Sequence, residues 1–236
     1  MNQPRRVAIV GAGLAGASAA ATLRERDFDG EVLLFGQESE QPYELPALSK
    51  GILLGEAEEP DRVREQGFYA EHDISLHSAT AVTEIDVAEA LVLDSAGGSY
   101  AYDALVLATG SRPRTLTVSG IELAGIHTLR TFSDAIALRE KFVEGGRVVV
   151  VGAGWIGSEV AAAARSRGCE VTVVEPNAAP LLTVLGEQIA GVVRDLHVEH
   201  GVAFEFGVGA EGFDGEDGVL RSVQLDNGSE IPADLV

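Results

Sequence analysis

Two copies of one glycine fingerprint constrain the fold of this chain more than any other feature of its sequence. The first copy is GAGLAG at residues 11–16, and the second is GAGWIG at residues 152–157. In this fingerprint the first glycine permits a tight turn, the second lets the backbone approach a pyrophosphate, and the third lets a helix pack on a strand. We therefore expect two dinucleotide sites, lined by Gly11, Gly13, Leu14, Ala15, Gly16, Gly152, Gly154, Trp155, Ile156 and Gly157.

The residues around both fingerprints match the strand–turn–helix unit that the motif requires. Apolar runs at 7–10 and 148–151 are typical of strands buried in a parallel sheet, and an alanine-rich stretch follows each turn. A second apolar run follows each stretch, at 32–35 and 171–174. The sequence therefore predicts an α/β fold with two Rossmann-like domains, in which each pyrophosphate lies at the positive end of a helix.

An acidic residue at the end of the second strand binds a ribose hydroxyl in many such units. Glu175 holds this position in the second unit, and no arginine or lysine follows at 176–180. Because a carboxylate repels a 2′-phosphate, we expect the second site to prefer NADH to NADPH. In the first unit Gly36 holds the equivalent position, and Gln37 or Glu38 is either a ribose ligand or only a turn residue.

The internal repeat extends beyond the fingerprints. Residues 74–110 and 202–236 both read as short strands joined by turns, which predicts a three-layer domain with a parallel sheet and a β-meander in each copy. Aligning Asp103 with Asp234 places Val236 two residues into a strand that the first copy completes. We expect either a chain truncated within a core strand or a natural terminus docked as an edge strand.

Charge and composition exclude several classes of partner. The formal net charge of −20 at pH 7 disfavours binding to nucleic acid or to an anionic membrane surface. No apolar run approaches the roughly 20 residues of a membrane span, and no signal peptide precedes the first strand, so a cytoplasmic protein is expected. The single cysteine, Cys169, excludes an internal disulfide, and the histidines show no metal-ligand spacing, so we expect no metal.

A further segment resembles a known family. The sequence QPYELPALSKG at 41–51 is similar to the PYxxPxLSK signature of the ferredoxin reductase flavoproteins. The resemblance covers the whole chain, through both fingerprints, the LRTFSDA segment at 129–135 and the turn Ala108-Thr109-Gly110. It implies a glutathione reductase-like fold, FAD at the first fingerprint and NADH at the second. It also implies that electrons pass to a small iron–sulfur partner, a ferredoxin or a rubredoxin.

The resemblance also implies roles for single residues. Lys50 would lie beside the flavin N5, paired with Glu159, where an ammonium stabilises negative charge as hydride arrives and a carboxylate fixes that ammonium. From the residues alone, Lys50 also fits an exposed loop lysine, and Glu159 a carboxylate favoured by the helix dipole.

Three further groups of positions match family positions that contact a nucleotide. Trp155 would gate the flavin face, although a buried core tryptophan is the alternative. Arg130 and Val82 would contact FAD, Val82 through its backbone near the adenine; otherwise they are a surface arginine and an ordinary strand valine. The residues Ala108, Thr109 and Gly110 would line the same cofactor.

Together these features predict an NADH-dependent flavoprotein reductase that serves an oxygenase or a cytochrome P450 through an iron–sulfur protein. The cysteines that disulfide and peroxide reductases use are absent from the segment at 43–50, which favours electron transfer. We expect an FAD-binding domain at 1–113 and an NAD-binding domain at 114–236. A nitrite reductase subunit, a quinone reductase and a non-catalytic nucleotide-binding chain are the alternatives, and neither the electron acceptor nor the oligomeric state follows from the sequence.

Overall fold

The computed structural model describes residues 4–236, which divide into two compact units. Unit 1 comprises the chain up to Glu44 together with Pro60–Arg112, and unit 2 comprises Leu45–Glu59 and Pro113–Val236. The domain expected from the sequence at 1–113 is uninterrupted, whereas the structure assigns the segment that carries Lys50 to unit 2. The physical reason is a set of contacts between this segment and distant helices of unit 2, described below.

Unit 1 is built on a parallel sheet. In chain order its elements are β1 (Arg6–Val10), α1 (Leu14–Glu25), β2 (Glu31–Phe35), α2 (Phe68–Glu71), β3 (Ile74–His77), β4 (Val82–Asp86), β5 (Leu91–Asp94), β6 (Ser99–Ala101) and β7 (Ala104–Leu107). The sheet order is β3-β2-β1-β7, with all strands parallel, and β4, β5 and β6 form a separate antiparallel meander.

Both faces of the parallel sheet in unit 1 are covered. On one face Val7, Ile9 and Leu34 pack against α1, whose Ala17 and Ala20 are completely buried. Alanine is small enough to let the helix lie close to the strands, which is why the stretch after the first fingerprint is alanine-rich. On the other face Phe35 and its neighbours pack against the meander. The three layers predicted from the sequence are therefore present.

Unit 2 repeats this plan after two short helical turns. The elements are a 3₁₀ turn (Leu45–Ala47), a π-helical turn (Leu48–Ile52), α3 (Phe132–Lys141), β8 (Arg147–Val151), α4 (Trp155–Ser166), β9 (Glu170–Glu175), α5 (Leu182–Glu199), β10 (Val202–Phe206), β11 (Ala210–Glu216), β12 (Val219–Leu225) and β13 (Glu230–Pro232). The strands β10-β9-β8 form a parallel sheet, and β11-β12-β13 form the meander. Within the described residues no helix has the length and apolar content to cross a membrane.

Asp103 and Asp234, which the alignment of the two copies pairs, accept equivalent backbone hydrogen bonds in the two units. The Asp103 carboxylate accepts hydrogen bonds from the backbone N–H of Arg6 at 2.8 Å, and the Asp234 carboxylate accepts one from that of Arg147 at 3.0 Å. Leu235 then pairs in parallel with Val148, as β7 pairs with β1. The sequence alignment of the two copies therefore reproduces the register of the strands.

The ion pair at Asp234 gives a testable pH dependence. The Arg147 side chain and backbone donate to this carboxylate, and these hydrogen bonds lower the pKa of Asp234 to about 2. Because the folded-state pKa lies below the ordinary value of about 3.9, the pair stabilises the protein above about pH 4 and loses this effect as the pH falls through about 2. Both side chains are nearly half exposed, so water and salt screen the pair and the contribution stays below about 1 kcal/mol.

We therefore expect Asp234→Asn to lower the free energy of unfolding near neutral pH, with a difference from the wild type that shrinks below about pH 4. Urea denaturation at a series of pH values measures this difference. A difference that stays constant down to about pH 2 would contradict the assignment.

Candidate functional site

The first glycine turn in unit 1 is closely packed at its first and third glycines. Gly11 has a φ of +109°, and a Cβ at this position would overlap the carbonyl oxygen of Ala108. A Cβ at Gly16 would overlap the carbonyl oxygen of Gly11, because α1 crosses directly over the turn. These positions admit only glycine, which agrees with the roles predicted for the first and third glycines.

The second glycine of the turn is open instead. A Cβ added to Gly13 would meet open space, so the backbone there is accessible to a ligand. No side chain caps the start of α1, and its first turn has no acidic residue. The first N–H groups of a helix need an acceptor and carry partial positive charge. Leu14 is 54% exposed beside this end of α1. The turn therefore fits the pyrophosphate of a dinucleotide.

Four other residues predicted to contact the first nucleotide, Val82 and Ala108–Gly110, lie in unit 1, whereas Lys50 and Arg130 lie in unit 2. Ala108 donates its N–H to the carbonyl of Val10 at 2.8 Å, so the Ala108–Gly110 turn follows β7 beside Gly11. Thr109 and Gly110 are exposed, and Val82 begins β4 opposite Asp94.

The structure explains why the first unit lacks an acid at the end of its second strand. A Cβ at Gly36 would come within 2.7 Å of the Ala12 Cβ, so the close approach of turn and strand leaves no room for a longer side chain. Glu38, two residues later, accepts a hydrogen bond from the Tyr43 hydroxyl at 2.6 Å, while Gln37 is exposed. A ribose contact by Gln37 or Glu38 stays a prediction.

The second glycine turn, in unit 2, resembles the first, except that a Cβ on Gly152 would meet open space. Gly152 has a φ of +101°, and its N–H donates to the carbonyl of Val174 at 2.8 Å, as that of Gly11 donates to Phe35 at 2.9 Å. A Cβ on Gly157 would overlap the Gly152 carbonyl oxygen, whereas one on Gly154 would meet open space. The start of α4 has no side-chain cap either. This turn also fits a pyrophosphate.

The side chains at the start of α4 are exposed. Trp155 and Ile156 are each 55% exposed, so Trp155 is not the buried core tryptophan that the sequence left as an alternative. In a folded unit, such large apolar side chains beside an uncapped helix end are available to pack on a ligand.

Glu175 lies at the end of β9 and is only 7% exposed. Its Oε2 accepts a hydrogen bond from the Ala153 backbone N–H at 2.7 Å. Its Oε1 accepts two from Asn177, one from the backbone N–H at 2.9 Å and one from Nδ2 at 2.6 Å. The carbonyl of Ala153 in turn accepts from the N–H of Leu181 at 3.0 Å. Glu175 therefore fixes the glycine turn itself. Its contact with a ribose hydroxyl stays a prediction, for which a lone pair remains on Oε2.

Leu181 has an unfavourable backbone conformation at this turn. Its φ is +54°, in the left-handed region that is uncommon for a leucine, and its side chain is buried. Strain of this kind costs on the order of 1 kcal/mol or more and persists only where surrounding contacts enforce it. The loop after β9 is thus held against the second glycine turn by bonds to both the N–H and the C=O of Ala153.

Lys50 and Glu159 meet within unit 2. Lys50 Nζ lies 2.9 Å from Glu159 Oε1, and the side chains are 55% and 30% exposed respectively. Glu159 lies one turn into α4, directly after the second glycine turn. Lys50 belongs to the π-helical turn, where its φ of −117° and ψ of −109° depart from helical values. The pairing predicted from the family resemblance is present in the structure, and its role beside the flavin stays a prediction.

The segment that carries Lys50 is fixed to unit 2 by Arg139 of α3. The Arg139 guanidinium donates to the Ala57 carbonyl at 3.3 Å and to the Glu58 carboxylate at 3.1 Å, and its side chain is 17% exposed. The Gly51 carbonyl accepts from the N–H of Glu56 at 2.9 Å, which closes the segment on itself. These contacts place Lys50 in the same unit as the second glycine turn.

The remaining predicted residues show no comparable constellation. Arg130 is partly buried, and its N–H donates to Asp134 at 3.0 Å next to the capping box that begins α3. Cys169 is fully buried, and burial raises the pKa of its thiol. Among residues 4–236, no group of three or more His, Cys, Asp or Glu side chains is arranged to hold a metal ion.

Three contributors to these sites were missed from the sequence. Ser49 hydrogen-bonds Glu159, Asn177 holds Glu175, and Tyr43 holds Glu38. Each is close in sequence to a predicted residue: Ser49 adjoins Lys50, Asn177 follows Glu175, and Tyr43 follows Glu38. Only the distances in the folded chain, however, distinguish them from other polar neighbours.

Comparison with known proteins covers nearly the whole chain. Residues 5–236 match the family model described as pyridine nucleotide-disulphide oxidoreductase. The chain is 40% identical over 228 residues to the ferredoxin–NAD(+) reductase subunit of the benzene 1,2-dioxygenase system of Pseudomonas putida, covering 97% of this chain and 55% of that protein. It is 39% identical over 231 residues to the rubredoxin–NAD(+) reductase of Ectopseudomonas oleovorans, covering 98% of this chain and 60% of that protein.

Solved structures of reductases are also similar to this chain. The crystal structure of the covalent putidaredoxin reductase–putidaredoxin complex matches with a TM-score of 0.93 and 36% identity, over 100% of this chain and 58% of that chain. The ferredoxin reductase for the CYP199A2 system of Rhodopseudomonas palustris matches with a TM-score of 0.93 and 35% identity. The match covers 98% of this chain and 57% of that chain. The chain thus spans little more than half the length of the relatives it matches. The two glycine turns and the match over residues 5–236 show that the chain belongs to the pyridine nucleotide-disulphide oxidoreductase family.

Proposed function

We propose that this chain carries the two nucleotide sites of an NADH-dependent flavoprotein reductase whose electron acceptor is a small iron–sulfur protein. The observation that carries the proposal is the ion pair between Lys50 and Glu159, one turn beyond the second glycine turn. Relatives named as ferredoxin and rubredoxin reductases support the class of acceptor. The cytoplasmic location inferred from the sequence stays a prediction.

The proposal assigns FAD to unit 1 and NADH to unit 2. The open Gly13 and the uncapped start of α1 would bind the FAD pyrophosphate, with Ala108–Gly110, Val82 and Arg130 as further contacts from the resemblance. Gly154 and the start of α4 would bind the pyrophosphate of NADH in the same way.

Preference for NADH rests on Glu175. Its carboxylate is fixed beside the second glycine turn by Ala153 and Asn177, and it would accept from a ribose hydroxyl but repel a 2′-phosphate.

The chemistry of the proposed reaction divides between cofactor and chain. Bound FAD would take two electrons from NADH and release them singly to the acceptor. Lys50 would supply a positive charge where negative charge develops, and Glu159 would hold the ammonium in place at 2.9 Å. Trp155 and Ile156, both exposed, would pack on the nicotinamide end of the nucleotide.

The test is the visible spectrum of the purified chain after incubation with FAD and removal of excess. We expect retained flavin absorption that bleaches when NADH is added without oxygen. Lys50→Met is expected to retain FAD but to bleach about tenfold more slowly, because the fixed positive charge is lost. The only other lysine, Lys141, provides the matched control, since Lys141→Met removes the same charge away from the Glu159 pair.

FAD retention, bleaching by NADH and the role of Lys50 can each be refuted separately by this experiment. A chain that retains no FAD would refute the first site in this protein. Retained FAD that NADH does not bleach would refute the reductase assignment. Equal bleaching rates for Lys50→Met and Lys141→Met would refute the proposed role of Lys50 in hydride transfer. If bleaching occurs, reduction of added ferredoxin, rubredoxin or a quinone identifies the acceptor class.

A further inference from the structure

The Glu159 carboxylate is held by two consecutive residues of the π-helical turn, and only one of them is the lysine. Ser49 Oγ donates to Oε2 at 2.5 Å, while Lys50 Nζ lies 2.9 Å from Oε1. The two carboxylate oxygens are thus each occupied by a different neighbour. This division fixes the plane of the carboxylate, since a group bonded at both oxygens cannot rotate freely.

The two donors differ in their surroundings. Ser49 is 7% exposed, whereas the Lys50 side chain is 55% exposed. An ion pair that is open to water holds its partners weakly, because water and salt screen the attraction. A hydrogen bond from a buried hydroxyl is not screened in this way, and its geometry is set by the packing around it. The buried Ser49 is therefore the better anchor for the carboxylate.

The turn itself is rigid enough for this role. Leu48, Ser49 and Ile52 of the π-helical turn are buried, so its inner face is packed while Lys50 projects outward. Arg139 fixes the far end of the same segment at Ala57 and Glu58. The Ser49 hydroxyl is thus presented to α4 from a turn whose inner face is buried and whose following segment is held by Arg139.

We propose that Ser49 is a positioning residue that orients the Glu159 carboxylate toward the Lys50 ammonium. The inference deepens the proposed function, because an oriented carboxylate keeps the ammonium where hydride transfer needs its charge. Ser49 acts through Glu159, the side chain to which it donates.

The test uses the chemical reactivity of Lys50 and requires no cofactor. The chain has two lysines, Lys50 and Lys141, so reductive methylation followed by peptide mass spectrometry gives the labelling rate of one relative to the other within the same sample. A lysine nitrogen held in contact with a carboxylate is less free to attack the reagent. We expect Ser49→Ala to raise the Lys50 to Lys141 ratio about two- to threefold, part of the rise that Glu159→Gln produces.

Two further variants separate positioning from a general structural effect. Ser49→Thr keeps the hydroxyl and is expected to keep the wild-type ratio. Ser222 is the matched control, because it is a serine of unit 2 that is 3% exposed and whose hydroxyl has no hydrogen-bond partner. Ser222→Ala is expected to leave the ratio unchanged. If Ser49→Ala does not fold, Ser49→Cys replaces it, since a thiol of similar size is a much weaker donor.

A wild-type ratio in Ser49→Ala, or in the folded Ser49→Cys, would overturn the proposal, as would the same rise in Ser222→Ala. These outcomes are independent of the reductase assignment, which fails instead if NADH does not bleach bound FAD. Where FAD is retained, Ser49→Ala should also slow bleaching by about two- to threefold while leaving the dissociation constant for NADH unchanged, and Ser49→Thr should restore the rate.

Discussion

Alanine in place of Gly16 is expected to lower the free energy of unfolding of unit 1 by about 3 kcal/mol or more. The added Cβ would overlap the carbonyl oxygen of Gly11, and the next nearest atoms are the Gly11 carbonyl carbon and a methyl group of Ile9. Ile9 is fully buried in the core of the sheet, so neither neighbour can move aside without disturbing the packing of α1. A loss of this size is a large share of the stability of an ordinary domain.

Urea denaturation followed by near-ultraviolet circular dichroism measures this change. All four tyrosines of the chain, Tyr43, Tyr69, Tyr100 and Tyr102, belong to unit 1, and the only tryptophan, Trp155, belongs to unit 2. The tyrosine signal therefore reports on unit 1. An unfolding midpoint in Gly16→Ala equal to that of the wild type would contradict the close approach of α1 to the turn.

Gly13→Ala is the matched control. It adds the same methyl group three residues earlier, at a position with a φ of −77° and open space around the new atom. We expect the stability to change by less than about 0.5 kcal/mol, because the substitution is exposed and unstrained. We expect FAD binding to weaken about tenfold or more, because the methyl group would occupy the path by which the pyrophosphate approaches the backbone.

The turns, strands and repeat were predictable because local sequence patterns determine them. A glycine at a fixed spacing between an apolar run and an alanine-rich stretch has few structural solutions, and both copies adopt the expected one. The alignment of Asp103 with Asp234 also paired equivalent residues, since each carboxylate accepts a hydrogen bond from the backbone at the start of β1 or β8. Both results depend on residues that are close in sequence or related by the repeat.

Contacts between distant segments were not predictable in this way. The assignment of Leu45–Glu59 to unit 2 depends on its packing against α3 and α4. One of these contacts is made by Arg139, which is about 80 residues away and carries no local signal for it. Similarly, Ser49 lies 110 residues from Glu159, and only the packing of the π-helical turn on α4 brings them together. The family resemblance named Lys50 and Glu159 as a pair, but the buried donor beside them needed the structure.

Glu175 carries the other large expected effect. Removal of its carboxylate in Glu175→Ala would leave three donors without their acceptor, namely the N–H of Ala153 and the N–H and Nδ2 of Asn177. Because this carboxylate is 7% exposed, water replaces it poorly, and we expect the free energy of unfolding of unit 2 to fall by about 3 kcal/mol. Glu170→Ala is the matched control, since Glu170 begins the same strand and is exposed. It should change stability by less than about 0.5 kcal/mol.

The same variant separates two roles of the carboxylate. If Glu175 also binds the ribose, Glu175→Ala weakens NADH binding and narrows the preference over NADPH, because the charge that repels the 2′-phosphate is gone. If its role is only to fix the glycine turn, NADH and NADPH binding weaken together and their ratio is unchanged. Titration with each nucleotide, performed under conditions where the variant is folded, distinguishes these cases. A variant as stable as the wild type would refute the structural role, because the bonds to Ala153 and Asn177 would then contribute nothing to unit 2.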